Sequence, residues 1–389
     1  MSITTPAGFV AAGLAAGVKE SGDLDLALVA TADGRATAAA ATFTSNLAAA
    51  APVQVSREHL AATGGRAAAV VVNSGNANAA TGAQGCADAE RMCELTGAAL
   101  NLPAEEVLVC STGLIGIPLP MAPIQAAIPG LVAARSADAS SAEAAARAIL
   151  TTDTHAKQVL VATADYTVAG MAKGAAMLAP NMATMLAFLT TDAEVEPSAL
   201  ADVLRIAVRD SFNTLTVDGC TSTNDTVVLM ASGLAGPTDP NLLTNLVTEA
   251  CGDLAAQMAA DAEGGSKVVR VRVTGARSDG EAERAARKVA DSLLVKCSLN
   301  GEDPYWGRVV SDLGSAGVDF ELDRLALDYG AVTVCDGGVA TEHDRVALAR
   351  HLAGDHLEIH CRLGLGDGDA TVTGVDLGHG YIDENRTTS

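Results

Sequence analysis

The chain has 389 residues, 49% of them hydrophobic and 19% charged, which excludes a disordered or fibrous polymer and provides more core than one ordinary domain needs. Aromatic residues make up only 3%, so the interior has to be packed from Ala, Val and Leu. With 47 acidic against 25 basic residues the formal charge is −22, a field that repels a phosphate backbone and argues against nucleic acid as a partner.

Short β-rich runs alternate with alanine-rich helical runs, the pattern of a layered α/β protein. In chain order, Ala68 to Val72 reads as a buried strand that ends in a polar turn of Asn and Gly, and Gly82 to Leu100 as a helix. Val107 to Cys110 reads as a strand opening into Ser111-Thr112-Gly113. Ser136 to Leu150 carries helix formers behind Ser and Asp caps. Gln158 to Tyr166 and Val268 to Val273 read as strands, and Ser198 to Asp210, Leu242 to Ala260 and Ala282 to Ser292 as helices. Lys173 to Asn181 reads as a loop feeding a buried run from Met182 to Leu189. The polar, glycine-containing stretch Gly275 to Glu281 is the expected boundary between a main domain, 1–275, and a smaller one, 276–389.

Met1 to Phe9 lacks a basic segment followed by an apolar run, and no stretch is apolar for the roughly 18–20 residues that span a bilayer, so a cytoplasmic, non-membrane protein is expected. The eight cysteines contain no CxxC pair, and buried reduced thiols are expected instead of disulfides or structural zinc. His356 and His360 are four apart, but Leu357 and Ile359 alternate with them as in a strand. A solvated strand face therefore explains the pair better than a metal site. Gly364, Gly366 and Gly368 lack the following helix and acidic residue of a dinucleotide fingerprint and read as a turn. His155 stands beside a threonine cluster with no nominated nucleophile to serve.

Hydroxyl and amide clusters remain: Asn73 to Asn78, Ser111 to Gly113, Thr151 to Thr154, Asn181 to Thr184 and Asp218 to Thr226. Capping or turn chemistry explains any one of them. Together they supply the uncharged donors that an enzyme handling a small polar acyl substrate needs.

The run Lys173-Gly174-Ala175-Ala176-Met177-Leu178-Ala179-Pro180-Asn181-Met182-Ala183-Thr184 resembles the ornithine acetyltransferase family, the glutamate N-acetyltransferases of arginine biosynthesis. Matching blocks follow in order along the chain: Phe43-Thr44-Ser45-Asn46, Asn73 to Asn78, Ser111-Thr112-Gly113, Thr151 to Thr154, Val217 to Thr226, Glu263-Gly264, Gly301 to Arg308 and Tyr381 to Asn385. The resemblance implies a layered α/β/β/α fold of the N-terminal-nucleophile (DOM) type with a smaller C-terminal α/β domain. It implies self-cleavage between Ala183 and Thr184, giving an α chain of residues 1–183 and a β chain starting at 184.

By the same resemblance Thr184 is the nucleophile, Thr112 and Gly113 form the oxyanion hole, and Thr151, Thr152, Lys173, Thr184, Glu263 and Asn385 bind substrate. The implied cycle moves an acetyl group from N-acetylornithine to L-glutamate through an acetyl-Thr184 ester, with neither metal nor organic cofactor. Acetyl-CoA is a further donor in some members, and the assembly is α2β2. The alternative on the same fold is an N-acyl amino acid amidohydrolase or acyltransferase with another donor or acceptor. Ala175-Ala176 stand where the family carries Ser-Gly, Tyr305 where it carries Asn, and the residues after Asn385 also depart.

Overall fold

Continuous runs of small apolar residues, buried on both faces, give the first part of the chain two stacked sheets. The computed structural model describes residues 2–177 and 185–386. The strands and helices are β1 (Phe9–Leu14), β2 (Leu26–Thr31), β3 (Thr37–Phe43), α1 (Ala51–Ala62), β4 (Arg66–Ala67), β5 (Ala69–Asn76), α2 (Gly82–Leu100) and β6 (Val107–Leu114). They continue with α3 (Met121–Ala133), α4 (Ala139–Ala148), β7 (Lys157–Ala162), β8 (Thr167–Lys173), β9 (Leu186–Glu194), α5 (Pro197–Arg209), β10 (Thr226–Pro237) and α6 (Pro240–Ala260).

One sheet has the order β1-β2-β5-β6 and the other β4-β3-β10-β9-β8-β7. On the first sheet, Leu26, Leu28, Val71 and Val109 face Val55, Met92, Ile124 and Ile128 of α1, α2 and α3. The alternate residues Val29, Val72 and Leu108 face Met171, Phe188 and Val228 of the second sheet, as the pleat requires. Beyond the second sheet, α5 packs on β3 and β10. Leu254 of α6 lies over Gly170 of β8. The layers are therefore α/β/β/α, with Ala and Val letting the sheets approach without large rings.

The chain separates into two compact units, Met1–Asn213 with Cys220–Met258, and Thr214–Gly219 with Ala259–Thr388. The second contains β11 (Val268–Ala276), α7 (Asp279–Ala290), α8 (Leu293–Asn300), α9 (Gly307–Gly314), β12 (Ala326–Tyr329), β13 (Val332–Asp336) and β14 (Val339–Ala340). It ends with α10 (Arg345–Leu352), β15 (His356–Arg362), β16 (Gly368–Val375) and α11 (His379–Glu384). Its sheet runs β14-β13-β12-β15-β11-β16, and Val271, Val289, Leu313, Tyr329 and Ile359 share its core.

Several boundaries differ from those expected of the sequence. Strands β5 and β6 run on through their polar residues to Asn76 and Leu114, because buried side chains bond to one another there: Ser111 Oγ donates to Asn73 Oδ1 at 2.6 Å and Asn73 Nδ2 to the Asn76 carbonyl at 2.8 Å. Helix α4 begins only at Ala139, and Asp138 at its N-cap makes no capping bond. Strand β7 stops at Ala162, where Thr163 and Tyr166 close a turn at 2.9 Å. Helix α7 starts earlier than expected because Ser278 caps it, accepting the Glu281 N–H, with Glu281 at the position of a capping box.

His356 and Glu358 are exposed on β15 while Leu357 and Ile359 are buried, the alternation read from the sequence. The Gly364–Gly368 run joins β15 to β16. Five thiols are buried, but Cys220 and Cys297 are exposed, against the expectation of uniform burial, since neither lies on the inner face of a strand or helix. Among the described residues no group of His, Cys, Asp or Glu could hold a metal ion, and no helix is long and apolar enough to cross a membrane.

Candidate active site

The polar end of β6 is a shaped feature of the first unit. Strands β5 and β6 pair in parallel from Ala69 and Val107, and the register slips at Gly75 and Asn76, opposite Thr112 and Gly113. Gly113 has φ +134°, and a Cβ on it would stand 2.3 Å from the Gly75 carbonyl carbon. Only glycine fits there. Thr112 is 2% exposed. A main-chain N–H beside a hydroxyl at an irregular strand end is the donor pair suited to a developing oxyanion.

Two successive side chains tie this strand end to the segment after Thr184. Asn224 Nδ2 donates to the carbonyls of Ser111 at 2.9 Å and Ala77 at 2.6 Å. Asp225 Oδ1 accepts the Met185 N–H at 2.8 Å. The register continues the link, with Thr226 of β10 opposite Leu186 of β9 and Lys173 of β8 opposite the same Leu186. Lys173 is thus placed on a strand beside the chain that follows Thr184. The sequence suggested a loop from Lys173 onwards, but the strand includes it.

Lys173 is buried around a shared carboxylate. Asp153 Oδ1 takes Lys157 Nζ at 2.7 Å and the Gly174 N–H at 2.6 Å, while Oδ2 lies 3.9 Å from Lys173 Nζ and accepts the Thr151 N–H at 3.2 Å. All three side chains are almost completely excluded from water. Burial opposes the charge on Asp153, yet Lys173, Lys157 and the Gly174 N–H together hold its carboxyl below the usual carboxylate range. Thr151 therefore meets this cluster through its main chain, and Thr152 is exposed beside it.

Lys19 also belongs to this region. Its Nζ donates to the Leu24 carbonyl at 2.8 Å, and its Cγ would lie 3.0 Å from a Cβ on Gly75. The Asp25 carboxylate fixes its loop by accepting the N–H groups of Ala16, Gly17, Val18 and Lys19. Burial lowers the Lys19 pKa, Asp25 and Asp23 oppose that, and Lys173 adds to the lowering. Neither Lys19 nor Lys157 stood out in the sequence. For Lys157 the available signal was a lysine at the head of a mostly apolar strand.

In the second unit, Asn385 Nδ2 donates to Glu263 Oε2 at 2.8 Å and to the Tyr381 carbonyl at 2.9 Å. Gly264 has φ +61°, and a Cβ on it would stand 1.9 Å from the Tyr381 nitrogen. The Glu263-Gly264 turn is thereby pressed onto α11, which explains why two residues far apart in sequence meet. Ala183 and Thr184 lie outside the described residues.

A layered α/β/β/α unit whose strand end carries Thr112 and Gly113, with a buried lysine and carboxylate cluster in the same unit, fits an acyltransferase. The chain belongs to the ArgJ family, which it matches over residues 10–387. It is 48% identical to the arginine biosynthesis bifunctional protein ArgJ of Mycolicibacterium paratuberculosis, with 100% of this chain and 96% of that protein covered. It is 46% identical to the protein of the same name from Thermobifida fusca, with both chains covered in full. A solved ornithine acetyltransferase complexed with ornithine, from Mycobacterium tuberculosis, is 48% identical over 46% of this chain and 94% of that one, with a TM-score of 0.44. The family resemblance read from the motif blocks is borne out.

Proposed function

We propose that this chain is a self-cleaving glutamate N-acetyltransferase of arginine biosynthesis, with Thr184 as its nucleophile. The observation that carries the reading is the bridge of Asn224 and Asp225, which couples the Thr112–Gly113 strand end to the residue following Thr184. In self-cleavage the Thr184 hydroxyl attacks the Ala183 carbonyl, the Ala183–Thr184 C–N bond breaks, and water hydrolyses the resulting ester. The freed α-amino group has an ordinary pKa of about 7.7–8.0, suited to act as base at neutral pH where a hydroxyl alone is a poor nucleophile.

In the first half-reaction that amine takes the Thr184 hydroxyl proton as Oγ attacks the acetyl carbonyl of N-acetylornithine. Thr112 and Gly113 steady the oxyanion, and the proton leaves with the ornithine amine. In the second, the amine of L-glutamate attacks the acetyl-Thr184 ester and N-acetylglutamate departs. Lys173, held at Asp153, is assigned to the substrate carboxylate. Thr151 and Thr152 are assigned to polar contacts with substrate, and Glu263, with Asn385 as its donor, to a cationic substrate group. The small-molecule substrates are processed by an α2β2 assembly of cleaved chains in the cytoplasm, and acetyl-CoA is a second donor to be tried.

Intact mass measurement of the purified protein tests the reading, with two fragments meeting at Ala183 and Thr184 as the expected result. Incubation with labelled N-acetylornithine should transfer the label to Thr184 and then to glutamate. An uncut chain that still transfers acetyl groups overturns the mechanism. Free acetate whose release glutamate does not suppress would favour hydrolysis instead.

A further inference from the structure

Asp225 has no role in the cycle above, yet its side chain is fully buried and one hydrogen bond from the residue after Thr184. Its Oδ1 accepts the Met185 N–H at 2.8 Å, and the next residue, Thr226, donates its N–H to the Met185 carbonyl at 3.2 Å. Both polar main-chain groups of Met185 are therefore gripped by consecutive residues at the head of β10. The gripped nitrogen belongs to the peptide bond that joins Thr184 to Met185.

Holding an amide this way is costly. The second oxygen, Oδ2, is buried with no hydrogen bond of good geometry, and the nearby Ser222 hydroxyl offsets the burial only in part. Burial pushes the Asp225 carboxyl well above its usual pKa, against the pull of the Met185 N–H and Lys173. A buried polar group left partly unsatisfied is destabilising, whereas an apolar residue would fill the same volume without that penalty. Core packing alone does not account for a carboxyl here.

We propose that Asp225 is a positioning residue for the nucleophile, fixing the Met185 end of the Thr184–Met185 peptide and so limiting the freedom of the threonine in both self-cleavage and transfer. This deepens the assignment of Thr184 and rests on it. The role requires an acceptor at the Oδ1 position. Asparagine keeps an acceptor and the shape, whereas leucine keeps the shape alone.

The test compares wild type with Asp225→Asn and Asp225→Leu in the full chain. The measurements are the rate of precursor cleavage by intact mass, kcat and KM for N-acetylornithine, and the thermal midpoint. Leucine should slow cleavage and lower kcat by about tenfold or more, with KM changed less than about twofold, because small displacements of a reacting group are expensive. Asparagine should restore both rates to within about threefold of wild type. A leucine variant with wild-type kcat overturns the proposal, as does an asparagine variant as impaired as leucine. If leucine prevents folding, Asp225→Ala is compared with asparagine by the same criteria. A wild-type chain that is neither cut before Thr184 nor acetylated on it overturns the underlying assignment before any variant is compared.

Discussion

The side-chain amide of Asn224 donates to the Ser111 carbonyl from 2.9 Å away, and the same nitrogen reaches the Ala77 carbonyl at 2.6 Å. One buried NH2 thus satisfies two carbonyls that water does not reach. Asn224→Ala leaves both unpaired and should cost about 2–6 kcal/mol, since each orphaned buried group costs about 1–3 kcal/mol. Asn224→Asp, which sets an acceptor against two acceptors, should be worse than alanine. Thermal or urea unfolding of the two variants checks the order, and alanine as stable as wild type would refute it.

Thr112→Ala removes a hydroxyl from the proposed oxyanion hole. Acetyl transfer should fall about 100-fold to 1000-fold in kcat, with precursor folding intact because the lost side chain is a short one on a strand supported by its neighbours. Stopped assays on the cut protein measure this, and a kcat within threefold of wild type would remove Thr112 from the site. Gly113→Ala is a different kind of change. Its methyl group would meet the Gly75 carbonyl carbon at 2.3 Å, so β5 and β6 have to separate and the variant should lose stability as well as rate.

Asp153→Asn removes the charge that faces Lys157 and Lys173 in the interior. Breaking a buried pair in this way typically costs about 3–5 kcal/mol, and the loss should exceed that of any exposed pair such as Arg205 with Asp202, where about 0–1 kcal/mol is usual. Parallel denaturant titrations of Asp153→Asn and Asp202→Asn give the comparison directly.

Acid sensitivity follows from the same carboxylate and from Asp376. Burial disfavours the Asp376 charge, but donors from Asn300, Ser266 and Lys267 hold its pKa below the usual range. For both Asp153 and Asp376 the folded value lies below the unfolded value of about 3.9. Their contribution is therefore fully present above about pH 4 and is lost as the pH falls through the folded values. The thermal midpoint should drop on acidification below about pH 4, and the drop should be shallower in Asp376→Asn, whose stability at neutral pH is already reduced.

Helix α2 could be read from the chain to the residue, because Ala, Glu, Arg and Met sit between Gly82 and the left-handed Asn101 that closes it. The block that starts at Lys173 and the strand end at Thr112 were legible as motifs. What the sequence concealed was the state of the polar residues beside them. Ser74 and Ser111 look like turn formers, yet they stay extended because their side-chain partners lie elsewhere in the chain, Ser111 Oγ donating to Asn73 on β5 and Ser74 Oγ to the Ala148 carbonyl at 2.7 Å. Asp225 looked like one more polar residue in a threonine-rich stretch. Its partner, Met185, is forty positions away, a separation that no local pattern records.

The six-stranded sheet carries one more implication. Strands β9 and β10 follow the proposed cut, and they lie inside an order in which β4 and β3 stand on one side and β8 and β7 on the other. Each polypeptide made by the cut would supply strands that the other must sandwich or be sandwiched by. Neither half can complete the β4-β3-β10-β9-β8-β7 sheet alone, so the two pieces would be interleaved products of a single folding event. Halves synthesised separately should fail to reassemble, and the cleaved enzyme should hold together through washing or dilution and come apart only when it unfolds.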